Sequence, residues 1–115
     1  MLIIDAHLDL SWNAIQGNRN LLDSVYTIRS RERDDTSPGR GQGTVALPEM
    51  IRGRIALSIV TVFARSTGNP APHADYGSLT QSYGAAQGQL AYYRALERDG
   101  HIRVITGRPD LDTHM

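Results

Sequence analysis

Arg54 to Ala64 is a nearly continuous apolar run built from Ile, Ala, Leu, Val, Thr and Phe. A strand with one wet face alternates apolar and polar residues; a run this uniform suits a parallel strand covered on both faces. No other segment constrains the fold as tightly, because parallel strands must be joined by crossovers, usually helical. The flanks supply such helices. Leu47-Pro48-Glu49-Met50-Ile51-Arg52-Gly53 puts a proline at the first helical position and a glycine just past the end. Ser78 to Asp99 reads as a long helix, in which Leu79, Tyr83, Ala86, Leu90 and Tyr93 recur at spacings of 4, 3, 4 and 3 along one face. Gly100 ends it. His101 to Thr106 reads as a third strand, and Arg108-Pro109-Asp110-Leu111 as the start of another helix.

The opening segment, Leu2 to Leu10, is also a strand. From Ile4 it alternates, with Ile4, Ala6, Leu8 and Leu10 on one face and Asp5, His7 and Asp9 on the other. Ser11 caps a short helical turn that reaches Ile15 and stops near Gly17. Asp23 or Ser24 caps a helix to about Arg33, with Val25 and Ile28 inward and Arg29, Arg31, Glu32 and Arg33 in solvent. Residues 34–43, with three Gly, two Asp and a Pro, read as a flexible loop. The expected order is β-α-β-α-β with a last helix beginning, an α/β arrangement. Three parallel strands leave both edges unpaired. The 115 residues are therefore expected to be a single incomplete domain, 1–115, the opening part of a larger α/β protein.

Composition excludes several function classes. Lys+Arg and Asp+Glu both number 12, all the basic residues being Arg, so a nucleic-acid footprint is not expected. The chain has no cysteine, which removes thiolate ligands and nucleophiles. No apolar run approaches the ~18 residues of a membrane span, and the first residues lack the basic and apolar regions of a signal peptide. A cytoplasmic location with no membrane partner is the expectation.

Chemistry concentrates at His7-Leu8-Asp9. On a strand, the first and third residues of a triplet point to the same side, about 6.5–7 Å apart along the chain. An imidazole and a carboxylate projecting together can grip one divalent metal, and zinc takes both ligand types. Asp5 lies one layer deeper on that face and could orient His7. By spacing alone, a strand-end His and Asp that bond to backbone or to each other remain an alternative. Burying such groups costs several kcal/mol unless they are satisfied, so they are expected to face a polar cavity.

Asp5-Ala6-His7-Leu8-Asp9-Leu10-Ser11-Trp12 resembles the opening motif of the membrane (renal) dipeptidase family, peptidase family M19. Residues 47–58 are similar to that family's short helix, glycine and second strand. Residues 86–96 and 102–106 resemble its long second helix and third strand. The resemblance implies the N-terminal portion of a (β/α)8 TIM-type barrel. It also implies a zinc-dependent dipeptidase with two zinc ions in the complete enzyme, hydrolysing a peptide bond through metal-activated water. His7 and Asp9 would be metal ligands; the bridging glutamate and further histidines would come from later strands. This chain would then hold one partial zinc site, no certain catalytic residue of its own, and little activity in isolation. The implied partners are a dipeptide substrate and the remainder of the barrel; the oligomeric state stays open, a homodimer included. Two alternatives stand beside this one. The first is a small non-catalytic α/β module in which His7 and Asp9 are structural. The second is another amidohydrolase-type metallohydrolase, a class that usually opens with His-x-His, where this chain has Asp9.

Other residues invite weaker readings. His73, in a Pro/Gly loop, could touch substrate but reads better as an exposed loop histidine. His101 is expected to be structural. Asp110, Asp112 and His114 resemble a ligand cluster, with Asp110 beside His114 at i, i+4 on a helix, yet acids at a helix start need no metal. Gly39-Arg40-Gly41-Gln42-Gly43 lacks the strand and the Lys-Ser/Thr of a phosphate loop. Arg29, Arg31 and Arg33 are offset by Glu32, Asp34 and Asp35. Trp12 either lines a pocket mouth or packs under the first loop.

Overall fold

In the computed structural model, residues 1–71 and 75–115 are described. They form β1 (Ile3–Leu8), α1 (Leu10–Ile15), α2 (Val25–Arg31), α3 (Leu47–Arg52), β2 (Ile55–Val60), α4 (Leu79–Arg98) and α5 (Arg108–His114). β1 and β2 pair in parallel as a two-stranded sheet. The arrangement is mixed α/β, compatible with a fragment of a larger α/β fold. No helix among the described residues is long and apolar enough to cross a membrane.

Local chemistry accounts for most boundaries. Ser24 caps α2 by accepting the Thr27 N–H, and Ser78 caps α4 by accepting that of Gln81. Pro48 and Pro109 sit in the first turns of α3 and α5. α4 stops at Gly100, whose φ of +81° suits the left-handed turn; there the His101 N–H returns to the Leu96 carbonyl at 2.9 Å. β2 begins at Ile55 rather than Arg54, because Arg54 itself is in the left-handed region, at φ +56°.

Ser11 does not cap α1: Asp9 holds the N-cap position, and Ser11 lies buried within the helix. Other expectations are corrected as well. First, residues 101–106 join no ladder. Carboxylates take two of their N–H groups: Glu97 accepts from Val104 at 2.8 Å and Asp110 from Thr106 at 3.0 Å. Second, the alternation along β1 is broken by a register slip between Asp5 and Leu8. Within that slip the Asp5 carboxylate accepts the backbone N–H of His7 at 2.9 Å. Third, the apolar strands are not covered on both faces. Ile4 and Ile59 are 62% and 60% exposed, because no described element packs over them.

The core lies beside the sheet. Leu10, Leu21, Val25, Ile28, Ala46 and Tyr93 cluster there, with Leu8, Met50 and Ile102 against them. α4 turns Gln89, Tyr93 and Leu96 inward and leaves Leu79 and Tyr83 in solvent. Its buried face is therefore rotated from the apolar stripe read in the sequence, and a polar side chain occupies its centre.

Candidate functional site

β1 and β2 run parallel and end level, with Leu8 opposite Val60. Asp9 and Thr61, the next residues of each chain segment, therefore emerge at the same end of the sheet. His7 Nε2 lies 3.4 Å from Asp9 Oδ1. Two donors on one tetrahedral zinc with arms of ~2.1 Å are about 3.4 Å apart, so the pair is spaced to share such an ion. The donor set, one imidazole nitrogen and one carboxylate oxygen, also suits zinc. Both side chains are open to solvent, 71% and 40% exposed respectively, so they stand on a surface rather than in the polar cavity expected. Among the described residues, no group of three His, Asp or Glu side chains is placed to hold an ion. The pair fits a partial site of two ligands. Asp5 meets His7 through the backbone N–H, which pins the strand end from which the imidazole projects.

Asp9 stands at the N-cap of α1, yet its side chain makes no capping bond. The carboxylate turns across the sheet end, where Oδ1 accepts the Thr61 hydroxyl. Thr61 is held in its turn: its N–H donates to the Leu8 carbonyl at 3.1 Å. Its carbonyl accepts the Tyr93 hydroxyl at 2.8 Å and lies 3.1 Å from Ser11 Oγ. Two residues on, Gln89 grips the backbone of Phe63 from both sides. Its Oε1 accepts the Phe63 N–H and its Nε2 donates to the Phe63 carbonyl, each at 2.7 Å. The Tyr93 hydroxyl also accepts the Ser11 N–H at 3.1 Å. Ser11, Gln89 and Tyr93 are buried, and buried polar groups are stable only when paired in this way. The node ties α1, α4 and the end of β2 into one support beneath Asp9.

An aromatic wall stands beside this support. Trp12 meets Phe63 edge-on, with ring centroids 6.0 Å apart, and the Arg65 guanidinium lies 5.7 Å from the centre of the Phe63 ring. Trp12 therefore packs against the segment after β2. That segment is anchored by Asp75, which accepts the N–H and hydroxyl of Thr67 at 2.9 and 2.7 Å and pairs with Arg65 at 3.1 Å. The Thr67 backbone N–H holds the Asp75 carboxyl below the usual carboxylate range, aided by the Thr67 hydroxyl and Arg65.

The remaining sequence candidates do not converge. His73 lies outside the described residues. Asp110 is turned back on Thr106, Asp112 lies 3.6 Å from Arg108, and His114 Nε2 sits 2.7 Å from the Ala56 carbonyl. The carboxyl of Asp110 is lowered chiefly by the Thr106 N–H. His101 follows the end of α4 and lies near Asp99, away from the end of β1.

The expected solvated end of α2 and mobile loop are corrected by Glu32. This carboxylate is buried and takes a bidentate pair from Arg19 at 2.7 and 3.0 Å. It also accepts from Arg40 at 2.8 Å and from the Gly41 N–H at 2.7 Å. Arg29 donates to the Gly43 carbonyl at 2.6 Å. The glycine-rich loop is thus fastened by ion pairs. The Arg19 hydrogen bond leads in holding the Glu32 carboxyl below its ordinary range, against burial, which raises it.

Sequence reasoning missed Thr61, Gln89 and Tyr93 as supports of the site. One signal was present for Thr61, a hydroxyl within the apolar run after Ile55. For Gln89 there was none, because its role depends on backbone groups of a distant segment.

No family model matches the chain, and no curated protein or solved structure matches it either.

Proposed function

We propose that this chain is the opening segment of a (β/α)8 metallohydrolase of the dipeptidase type, with His7 and Asp9 holding one of two zinc ions. The observation that carries the reading is the 3.4 Å spacing of His7 Nε2 and Asp9 Oδ1 at the C-terminal end of a parallel pair of strands. In barrels of this kind that end of the sheet bears the active site. The bare faces of Ile4 and Ile59 support the assignment to an opening segment: in a complete barrel, further strands and helices would cover them.

When bound, zinc supplies Lewis acidity, which acidifies water and polarises a carbonyl. His7 and Asp9 contribute the first two donors. Thr61 steadies the Asp9 carboxylate, and Asp5 pins the backbone that carries the imidazole. Trp12 and Phe63 meet edge-on next to the Thr61 support. The remaining ligands and the groups that recognise a dipeptide belong to later strands of such a barrel.

The exposure of both ligands favours a second reading, a non-catalytic α/β module with a surface His–Asp pair. Dipeptide hydrolysis by a polypeptide carrying the complete barrel decides between them. The zinc-loaded protein is expected to cleave dipeptides, and the His7→Ala, Asp9→Ala double variant to lose that activity. An unchanged rate in the double variant refutes the assigned roles.

A further inference from the structure

We infer that Thr61 is the positioning residue of the His7–Asp9 pair: its hydroxyl holds the Asp9 carboxylate in the orientation that presents Oδ1 to a cation shared with His7. The inference rests on the metal reading above.

An aspartate at a helix N-cap ordinarily accepts a backbone N–H from the first turn. Asp9 occupies that position at α1 and makes no such bond. Its carboxylate is committed instead to Thr61, on the neighbouring strand. The Thr61 hydroxyl has one proton and two acceptors in reach, Asp9 Oδ1 and the Leu8 carbonyl at 3.3 Å. The Leu8 carbonyl already receives the Thr61 N–H at 3.1 Å, and a charged acceptor makes the stronger bond. The proton therefore belongs to Asp9.

The hydroxyl can act as a fixed point because everything around it is fixed. The Thr61 carbonyl is held by Tyr93 and Ser11, and Gln89 clamps the backbone at Phe63. Threonine is branched at Cβ, which restricts its χ1 rotation. The bonded oxygen, Oδ1, is the one that faces His7 Nε2. One lone pair of that oxygen takes the Thr61 proton, which leaves another to bind a cation shared with His7. A carboxylate held this way loses less freedom when a cation arrives.

The test uses zinc alone, titrated into the chain and followed by the ring resonances of His7. Thr61→Val keeps the shape and removes the hydroxyl; Thr61→Ala is a second variant without it, and Thr61→Ser retains it. Loss of a bond to a ligating carboxylate typically weakens metal binding about 10–100-fold. Thr61→Val and Thr61→Ala are expected to fall in that range, with Thr61→Ser restoring wild-type affinity and all variants keeping the wild-type far-UV spectrum. Val and Ala variants that bind as tightly as wild type overturn the assignment to Thr61 alone. So does a Ser variant as weak as Val, which would trace the effect to the methyl group. Zinc bound equally well by His7→Ala overturns the metal site itself, and the role of Thr61 with it.

Discussion

Asp9 and Thr61 follow the last residues of two parallel strands and meet across the sheet end, carboxylate to hydroxyl. Asp9 is the proposed metal ligand, and Thr61 is the proposed support of its carboxylate. The support continues inward through Tyr93 and Gln89 to α4, so the geometry of an exposed pair is set by buried residues far away in sequence. The first prediction tests the stability of this buried support.

Tyr93→Phe removes a hydroxyl that serves the Ser11 N–H and the Thr61 carbonyl at once. Leaving a buried polar group unpaired costs about 1–3 kcal/mol. Urea unfolding of the variant is expected to show a lower midpoint by that order. An unchanged midpoint would mean that water replaces the hydroxyl without loss.

Glu32→Ala strands Arg19, whose side chain is only 10% exposed, without its carboxylate. Breaking one side of a buried ion pair costs about 3–5 kcal/mol. The same change frees the Gly41 N–H and removes one of the partners of Arg40, which keeps Asp35 and the Gly17 carbonyl, so residues 39–43 are expected to gain amide exchange. Hydrogen exchange read along the chain checks both effects, and slow exchange persisting at Gly41 would contradict them.

Acid should expose the same lock. The Glu32 carboxyl lies below its ordinary range because Arg19 and the Gly41 N–H favour the charged form. A lowered folded value means that the unfolded chain binds the proton more readily, so stability rises with pH through this window. The contribution is fully present above about pH 4.3, the ordinary glutamate value, and is lost as pH falls through the lowered folded value. Glu32→Gln is expected to flatten this part of the profile in thermal melts from pH 6 downward. A variant whose acid slope matches wild type would place the effect elsewhere.

Segments whose local chemistry is self-contained were legible in the sequence. Ser24, Pro48, Ser78 and Gly100 each bound a helix as read, because a cap or a left-handed turn depends on neighbouring residues alone. The parallel pairing of the two apolar strands was legible from the helix-forming segments between them, since parallel strands need a crossover. Elements settled by distant partners were not. The buried face of α4 centres on Gln89, whose amide replaces a strand partner for Phe63, so apolar periodicity pointed to Leu79 and Tyr83 instead. Residues 101–106 have the composition of a strand, yet Glu97 and Asp110 take two of their N–H groups. Glu32 looked like one more charge on a solvated helix end; only Arg19, 13 residues earlier, accounts for its burial. The His7–Asp9 pair stood out because its spacing is local, whereas its support by Thr61 was visible only once the two strands lay side by side.

Calorimetric titration of zinc into a polypeptide carrying the complete barrel, and into its His7→Ala, Asp9→Ala double variant, tests the central claim most directly. The account predicts two zinc ions per wild-type molecule and, in the double variant, loss of the one that His7 and Asp9 hold. Equal binding by the two proteins, or no saturable binding by wild type, would contradict it.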